Sequence, residues 1–197
     1  TETFTVKSVL GKTVSLDKAT EYMHYGETQT YNGVTIDERA EIGLLSRNIT
    51  LQGDASSATS GYGGHVMLMS GQAYVNSVAF FSMGQAGQIG RYPIHWHRLG
   101  DEARGQYIRN SSIHDGFNRC VTIHASNGVK VQNNVAFNAP GHCVFLEDGA
   151  ELDNIIENNL VLSVLTPEEG KAILPTDIDF PGPSAYWITH PQNVVRN

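Results

Sequence analysis

CVTIH at residues 120–124 returns as CVFLE at residues 143–147, and both follow the pattern of PIHWH at residues 93–97. Side chains alternate between the two faces of a β-strand, so the second and fourth residues of each segment, which are all apolar, share one face. The fifth residues, His97, His124 and Glu147, share the other face. If the segments are neighbouring strands about 4.8 Å apart, two imidazoles and one carboxylate form a column.

A second repeat sets the register of the first. Four segments begin with asparagine, continue with a small or polar residue and end in a mainly apolar triplet, and they start at Asn76, Asn110, Asn133 and Asn158. The starts are 34, 23 and 25 residues apart, which is typical of the coils of a parallel β-helix. We expect the aligned asparagines to form structural ladders between coils.

The rest of the chain also favours strands and turns. The stretch Phe4 to Leu16 predicts a hairpin with its turn at Gly11, and amphipathic helix patterns are weak throughout. Residues 166–184 contain four prolines and predict an irregular excursion from the coils. We therefore divide the chain into a hairpin and lead-in at 1–31 and β-helix repeats at 32–197, a piece of a larger protein.

Charge and hydropathy limit the partners. The formal net charge is −7, which disfavours nucleic acid, and no apolar run is long enough to span a bilayer, so we expect no membrane contact by this segment. The window 91–119 is different, because it holds five arginines against three acidic residues. These arginines are either solvated loop charges or a docking surface for an acidic ligand.

The two cysteines, Cys120 and Cys143, occupy equivalent places in successive coils. Stacked neighbours would lie close enough for a disulfide, but side chains in such a ladder also persist as separate thiols. The sequence leaves both states open.

The column has three interpretations: a metal site, direct acid–base or substrate-binding chemistry, and a solvated polar face. His97, His124 and Glu147 form a nitrogen and oxygen ligand set typical of open catalytic sites, and His95 could add a second imidazole from its strand. Nitrogen ligands favour a zinc-like transition metal, while the carboxylate keeps calcium open. A bend at Gly149 could bring Asp148 to the same side as Glu147, as a ligand, an orienting group or a general acid.

Four long blocks resemble one known family: residues 33–53, 84–101, 111–149 and 185–193. They are similar to the β-helix region of the cell-migration-inducing hyaluronidase, transmembrane hyaluronidase and fibrocystin group, from about Asn32 to Asn193. The resemblance implies a right-handed parallel β-helix in an extracellular or secreted protein, and the opening hairpin would join a preceding eight-glycine β-rich module. For hyaluronidase members it implies binding and depolymerisation of hyaluronan, an acidic polysaccharide. The blocks carry eight candidate residues: Arg91, His95, His97, Asp101, His124, His142, Glu147 and Asp148.

These observations predict an extracellular glycan-processing β-helix. His97, His124 and Glu147 would hold a divalent cation, and His95, Glu147 and Asp148 would carry the catalysis. Arg91 and Arg119 would engage substrate carboxylates, with His142 at the border of the groove. Metal-free hydrolysis by Glu147 and Asp148 and calcium-assisted β-elimination are alternative routes. The rival functions are a non-catalytic adhesion or receptor segment and a pure scaffold.

Overall fold

The computed structural model describes residues 1–197 and contains two compact units, Thr1–Gly43 and Leu44–Asn197. The first unit has two antiparallel hairpins, β1 (Val6–Leu10) with β2 (Thr13–Leu16) and β3 (Thr28–Tyr31) with β4 (Val34–Asp37). The predicted turn at Gly11 is confirmed. The boundary that we placed between residues 31 and 32 falls in the turn of the second hairpin, whereas the compact units meet after Gly43.

The second unit is built from short strands joined by turns and loops. Its strands are β5 (Ile49–Gln52), β6 (Val66–Leu68), β7 (Tyr74–Asn76), β8 (Val78–Phe81), β9 (Ile94–Gly100), β10 (Tyr107–Arg109), β11 (Ser112–His114), β12 (Val121–Ser126), β13 (Lys130–Gln132), β14 (Val135–Pro140), β15 (Val144–Leu146), β16 (Ile155–Glu157), β17 (Leu160–Leu165), β18 (Tyr186–Trp187) and β19 (Val194–Arg196). Three single turns of helix complete it, α1 (Ser57–Ser60) and two 3₁₀ turns at Asp101–Ala103 and Pro175–Asp177.

Every third strand belongs to the same parallel sheet, which is the topology of a β-helix. Sheet I holds β5, β8, β11, β14 and β17, sheet II holds β6, β9, β12, β15 and β18, and sheet III holds β7, β10, β13, β16 and β19. The predicted parallel β-helix is confirmed, with about four turns and with the antiparallel hairpin at the start of the sequence. No helix in the chain has the length and apolar character needed to cross a membrane.

The core lies between the three sheets and is filled by the inward residues of the alternating pattern. On sheet II these are Ile94 and Trp96 in β9, Val121 and Ile123 in β12, and Val144 and Leu146 in β15. Each fully buried side chain of this size contributes about 1.5–3 kcal/mol. The indole Nε1 of Trp96 donates to Oε1 of the buried Gln106 at 2.9 Å, so the one polar atom of this ring is satisfied.

The asparagine repeat forms a ladder, but its alignment differs by one residue at the first coil. Arg109 pairs with Asn76, so Ser77 occupies the place that Asn110 fills in the next coil, and both have positive φ. The ladder itself runs through the following residue: Asn134 Oδ1 accepts from the Ser111 N–H at 3.0 Å, and Asn159 Oδ1 accepts from the Asn134 N–H at 3.0 Å. In the pairs Asn133–Asn134 and Asn158–Asn159, the first asparagine therefore makes the turn with its positive φ. The second asparagine makes the hydrogen bonds between coils.

Cys120 and Cys143 form a disulfide between neighbouring coils, with their Cα atoms 4.6 Å apart. Both residues are buried, directly before β12 and β15. The bridge therefore fixes the start of β12, which carries His124, and of β15, which ends directly before Glu147.

Candidate functional site

The predicted column stands on the outer face of sheet II. His97 of β9 pairs with His124 of β12, and the N–H of Glu147 donates to the Ile123 carbonyl at 3.1 Å. Glu147 follows β15 directly, and Leu146 pairs with Ile123, so the carboxylate continues the same row. The structure thus brings together the three residues that strand alternation places in one column.

His95 joins this column and completes a group of three histidines. The ring nitrogens of His95, His97 and His124 that could bind a metal all lie within 4.8 Å of one another. Nδ1 of His124 is 3.1 Å from Nδ1 of His97, and the His95 ring stacks on the His124 ring at 5.9 Å between centroids. We call His95, His97 and His124 the histidine cluster.

In His95 and His124, one ring nitrogen faces Glu147 and the other, which we call the outer nitrogen, already has a partner. His95 Nδ1 lies 3.2 Å from the carbonyl oxygen of Gly90, and His124 Nε2 lies 2.7 Å from Oδ2 of Asp148. Because both partners only accept hydrogen bonds, each outer nitrogen carries a proton, and in a neutral ring the inner nitrogen is then the one with the lone pair. Metal-binding histidines are held in this way by a carbonyl or carboxylate on the outer nitrogen.

Glu147 faces the cluster without a hydrogen bond to its Oε2. This atom lies 3.9 Å from His95 Nε2 and 3.8 Å from His124 Nδ1. Both Glu147 Oε2 and His95 Nε2 are buried polar atoms without a hydrogen-bond partner. Such atoms are costly to leave unpaired, and a cation between them would satisfy both.

The buried Glu151 stabilises the turn after β15, which positions the carboxylates of Glu147 and Asp148. Glu151 accepts hydrogen bonds from the backbone N–H groups of Ala125, Asp148 and Gly149, at 2.9, 3.0 and 2.8 Å. Gly149 has φ +79°, which a glycine adopts without strain. The predicted bend at Gly149 is therefore present, and it brings both Glu147 and Asp148 against His124. Sequence reasoning missed Glu151, because nothing in the repeat marks it.

Burial sets the protonation states of the site. Desolvation lowers the pKa of His95 to about 4, and it also lowers the pKa of His97, where the neighbouring His124 adds to the effect. Burial raises the pKa of Glu147. His95 is therefore neutral at pH 7 and offers a free lone pair, as a metal ligand requires.

The spacing of His97 and His124 suits a transition-metal site, and the nitrogens of all three histidines lie within 4.8 Å of one another. A tetrahedral ion with Zn–N bonds of about 2.0–2.1 Å separates its ligand nitrogens by about 3.3 Å, and the two Nδ1 atoms are 3.1 Å apart. Three imidazoles and one carboxylate suit zinc better than calcium, which prefers oxygen ligands. The side chains of His124 and Glu147 keep 17% and 16% of their surface exposed, so one side of the cluster is open.

Arg91 lies at the rim of the site. It is exposed, and its Nη1 is 2.9 Å from Nε2 of His65. The charge of Arg91, after burial, lowers the pKa of His65, and His65 in turn lowers that of His95, so the three groups are electrostatic neighbours. Sequence reasoning missed His65, whose position just before β6 puts it one coil earlier on the same sheet. Arg98 is also exposed beside His97.

Arg119 is buried, contrary to the expectation that it binds substrate carboxylates. It is 1% exposed, its two Nη atoms donate to the carboxylate of the equally buried Asp177 at 2.9 and 3.0 Å, and its guanidinium lies 3.9 Å from the centroid of the Phe145 ring. Asp177 also accepts from the backbone N–H groups of Ile173 and Leu174. Arg119 therefore anchors the irregular segment 166–184, and no face of it is open to a polymer.

His142 is likewise buried rather than at the border of a groove. Its Nε2 is 3.0 Å from the hydroxyl of Thr176, its Nδ1 accepts from the Ser184 N–H at 3.0 Å, and its ring lies 4.2 Å from that of Trp187. The expectation that it binds substrate does not fit this position. Arg119 and His142 share one partner, Asp177, which sequence reasoning could not pair with them, because it lies in the irregular segment.

Fold and site together define a parallel β-helix protein with a histidine cluster and two acidic neighbours on one outer sheet face. The CEMIP beta-helix family model matches residues 61–197, and the chain belongs to this family. The predicted resemblance is thereby confirmed.

The relatives of the chain include several kinds of protein. A G8 domain-containing protein of Dictyostelium discoideum is 40% identical over 98% of the chain, human fibrocystin-L is 31% identical over 100%, and the human cell surface hyaluronidase CEMIP2 is 33% identical over 93%. The chain spans only 13%, 6% and 16% of the length of these relatives.

Proposed function

We propose that this chain binds an acidic polysaccharide of the hyaluronan type and contributes to its depolymerisation at a divalent metal held by the histidine cluster and Glu147. The observation that carries the proposal is the pair of acceptors on the outer nitrogens, the Gly90 carbonyl at His95 and the Asp148 carboxylate at His124. With these acceptors in place, the inner nitrogens, His95 Nε2 and His124 Nδ1, face Glu147 Oε2, which has no hydrogen-bond partner.

Each site residue then has a distinct part. His95, His97, His124 and Glu147 hold the ion, and Asp148 orients His124 from behind. A bound transition metal would supply Lewis-acid polarisation of a glycan oxygen that joins the four protein ligands from the open side of the cluster. Glu147, whose burial raises its pKa, and Asp148, which is half-exposed, are the carboxyl groups nearest to an incoming sugar. The catalytic roles of Glu147 and Asp148 stay a hypothesis about the same site, whereas His95, with one ring nitrogen on the Gly90 carbonyl and the other facing the ion, is proposed as a ligand.

The substrate class is supported by the rim of the site and by one relative. Arg91 and Arg98 are exposed beside the cluster in a protein of net charge −7, and guanidinium groups bind carboxylates in a two-pronged geometry. The relative named as a cell surface hyaluronidase acts on such a polymer. Arg91 keeps its predicted substrate-binding role, while Arg119 and His142 are replaced by Arg98.

An extracellular or cell-surface location fits this function. The buried disulfide between Cys120 and Cys143 is of the kind that persists in oxidising compartments. One relative, CEMIP2, is a cell surface hyaluronidase.

A second candidate function is a non-catalytic adhesion or receptor segment with a structural metal. The similarity to fibrocystin-L, which extends over 100% of the chain, favours it. Under this function the chain would take up metal and bind glycans without shortening them.

The experiment compares zinc-loaded wild type with a His97→Ala/His124→Ala variant on hyaluronan, a sulfated glycan and an uncharged glycan, measuring retention on the polymer and polymer length. Metal-dependent shortening of hyaluronan by wild type alone supports the proposal. Retention without shortening identifies the second candidate. A folded, metal-loaded chain that neither retains nor shortens any acidic glycan contradicts both.

A further inference from the structure

The outer face of sheet III carries aromatic and basic side chains in neighbouring coils. Tyr74 and Asn76 of β7 stand opposite Tyr107 and Arg109 of β10, which stand opposite Lys130 and Gln132 of β13. The middle residue of each strand packs in the core, so these six side chains point away from it. They form two columns on a different sheet from the histidine cluster.

The two tyrosines form an aromatic platform that is open to solvent. Their ring centroids are 5.3 Å apart at an interplanar angle of 52°. Tyr74 is 53% exposed, and its hydroxyl donates to Oε1 of Gln72 at 3.0 Å. Tyrosine rings supply a large apolar contact area at low entropic cost, and the C–H face of a sugar ring packs on such a surface. The pair therefore suits a sugar laid across two coils.

Arg109 places a fixed guanidinium beside this platform. Its guanidinium carbon lies 4.3 Å from the centroid of the Tyr107 ring, which holds the plane of the group. None of its three nitrogens makes a hydrogen bond or an ion pair, and Nε is buried, whereas the two Nη atoms are reachable from solvent. The planar fork of donors matches the two oxygens of a carboxylate. Arg109 is therefore positioned for an anion that the chain itself does not supply.

The acidic residue on this face does not neutralise Arg109. Glu157 of β16 accepts from Nε of Arg196 at 2.6 Å and from Nε2 of Gln132. The bonds to Arg196 and then to Gln132 lower the pKa of Glu157, and the charge of Lys130 contributes less. Arg109 and Lys130 lie on adjacent strands and remain outside any ion pair, in a chain of net charge −7.

We propose that the outer face of sheet III binds an acidic polysaccharide: Tyr74 and Tyr107 pack against a sugar ring, and Arg109, with Lys130 one coil further, binds the carboxylate. An uncharged glycan would leave the two basic residues without a partner, and a run of acidic residues in a peptide would leave the aromatic platform unused. The inference goes beyond the proposed function, because it involves no metal and no residue of the histidine cluster.

Affinity for immobilised hyaluronan, measured with chelator present, tests the inference. Arg109→Gln removes the donor fork and Tyr74→Ala removes the exposed ring, and we expect each to weaken binding by about three- to tenfold. Lys130→Gln repeats the test at the second basic residue and should also weaken binding. Lys12→Gln is the matched control, because it removes the same charge from the exposed turn of the first hairpin, and it should bind as wild type does. Thermal unfolding of every variant is measured in parallel.

Two further polymers separate the parts of the ligand. Dextran has sugar rings without charge and should not bind, and polyglutamate has carboxylates without sugar rings and should bind more weakly than hyaluronan. Equal or stronger binding of polyglutamate would identify a general anionic patch and overturn the inference.

The variants decide the remaining outcomes. Equal hyaluronan affinity of wild type, Arg109→Gln and Tyr74→Ala, an equal loss in Lys12→Gln, or failure of Arg109→Gln or Tyr74→Ala to fold each overturns the inference. The His97→Ala/His124→Ala variant should keep its hyaluronan affinity in chelator. Absence of metal-dependent shortening of hyaluronan contradicts the proposed function and leaves this binding face standing.

Discussion

Oδ2 of Asp148 lies 2.7 Å from Nε2 of His124, on the side of the imidazole that faces away from His97. The carboxylate accepts from Nε2–H, so in the neutral ring Nδ1 is the nitrogen with the lone pair inside the histidine cluster. Asp148, which is half exposed to solvent, therefore determines which ring nitrogen of His124 can bind a ligand.

Replacing Asp148 by alanine should weaken zinc binding by about 10–100-fold, because the His124 ring loses the group that sets its tautomer. The measurement is zinc affinity by chelator competition. Asp153→Ala is the control, since Asp153 is an exposed carboxylate that pairs only with Arg104 at 2.9 Å. Equal losses in the two variants would mean that net charge, and not the orientation of His124, governs affinity.

The stability of the metal-free protein should fall in mild acid because of His95. Its pKa is lowered from 6.5 to about 4 by burial, so between these values the unfolded chain binds a proton that the folded chain does not. The contribution is complete above pH 6.5 and is lost as the pH falls toward 4, on the order of 3 kcal/mol in total.

Urea unfolding with chelator present, at pH 7.5 and pH 4.5, measures this loss. The raised pKa of Glu147 acts in the opposite direction, so the informative quantity is the difference between wild type and His95→Gln. We expect the variant to lose less stability between the two pH values. An identical loss in both proteins would exclude His95 as the source.

Asp177→Asn should destabilise the protein by about 3–5 kcal/mol, because it leaves the buried Arg119 without its ionic partner. The segment 166–184 should then be cleaved faster by protease while the coils stay intact. Asp101→Asn is the matched control, since that carboxylate is 72% exposed and pairs with Arg104 at the surface, so this variant should match wild type in stability and in cleavage. Unchanged cleavage in Asp177→Asn would show that the segment is held by other contacts.

The fold could be predicted because the coils repeat and strand alternation is strict. The pairing of His97 with His124 and the outward position of Glu147 follow from that register alone. The first coil was misaligned by one residue, because Asn76 imitates the turn asparagine, while the structure gives that place to Ser77. The identity of the residue is therefore a weaker guide to register than the positive φ of the turn, which Ser77 adopts in place of an asparagine.

The surroundings of the site could not be predicted in the same way. Asp177 lies 58 residues after Arg119, in a segment without a repeat, so no spacing rule connects them. Glu151 satisfies three backbone N–H groups in a turn, and only the folded turn shows that these groups converge. The sequence therefore predicted the column. It did not predict that Arg119 and His142 are buried against Asp177.

The most direct test of the account is zinc retention by the folded chain. Wild type is stripped with chelator, reloaded with zinc and dialysed, and its zinc content is compared with that of His97→Ala/His124→Ala and of a control, His190→Gln, whose Nδ1 accepts only a local backbone hydrogen bond from Gln192 at 3.1 Å. We predict about one zinc ion per chain in wild type and in the control, and none in the double variant. Equal zinc content in all three proteins, or none in any, would contradict the account.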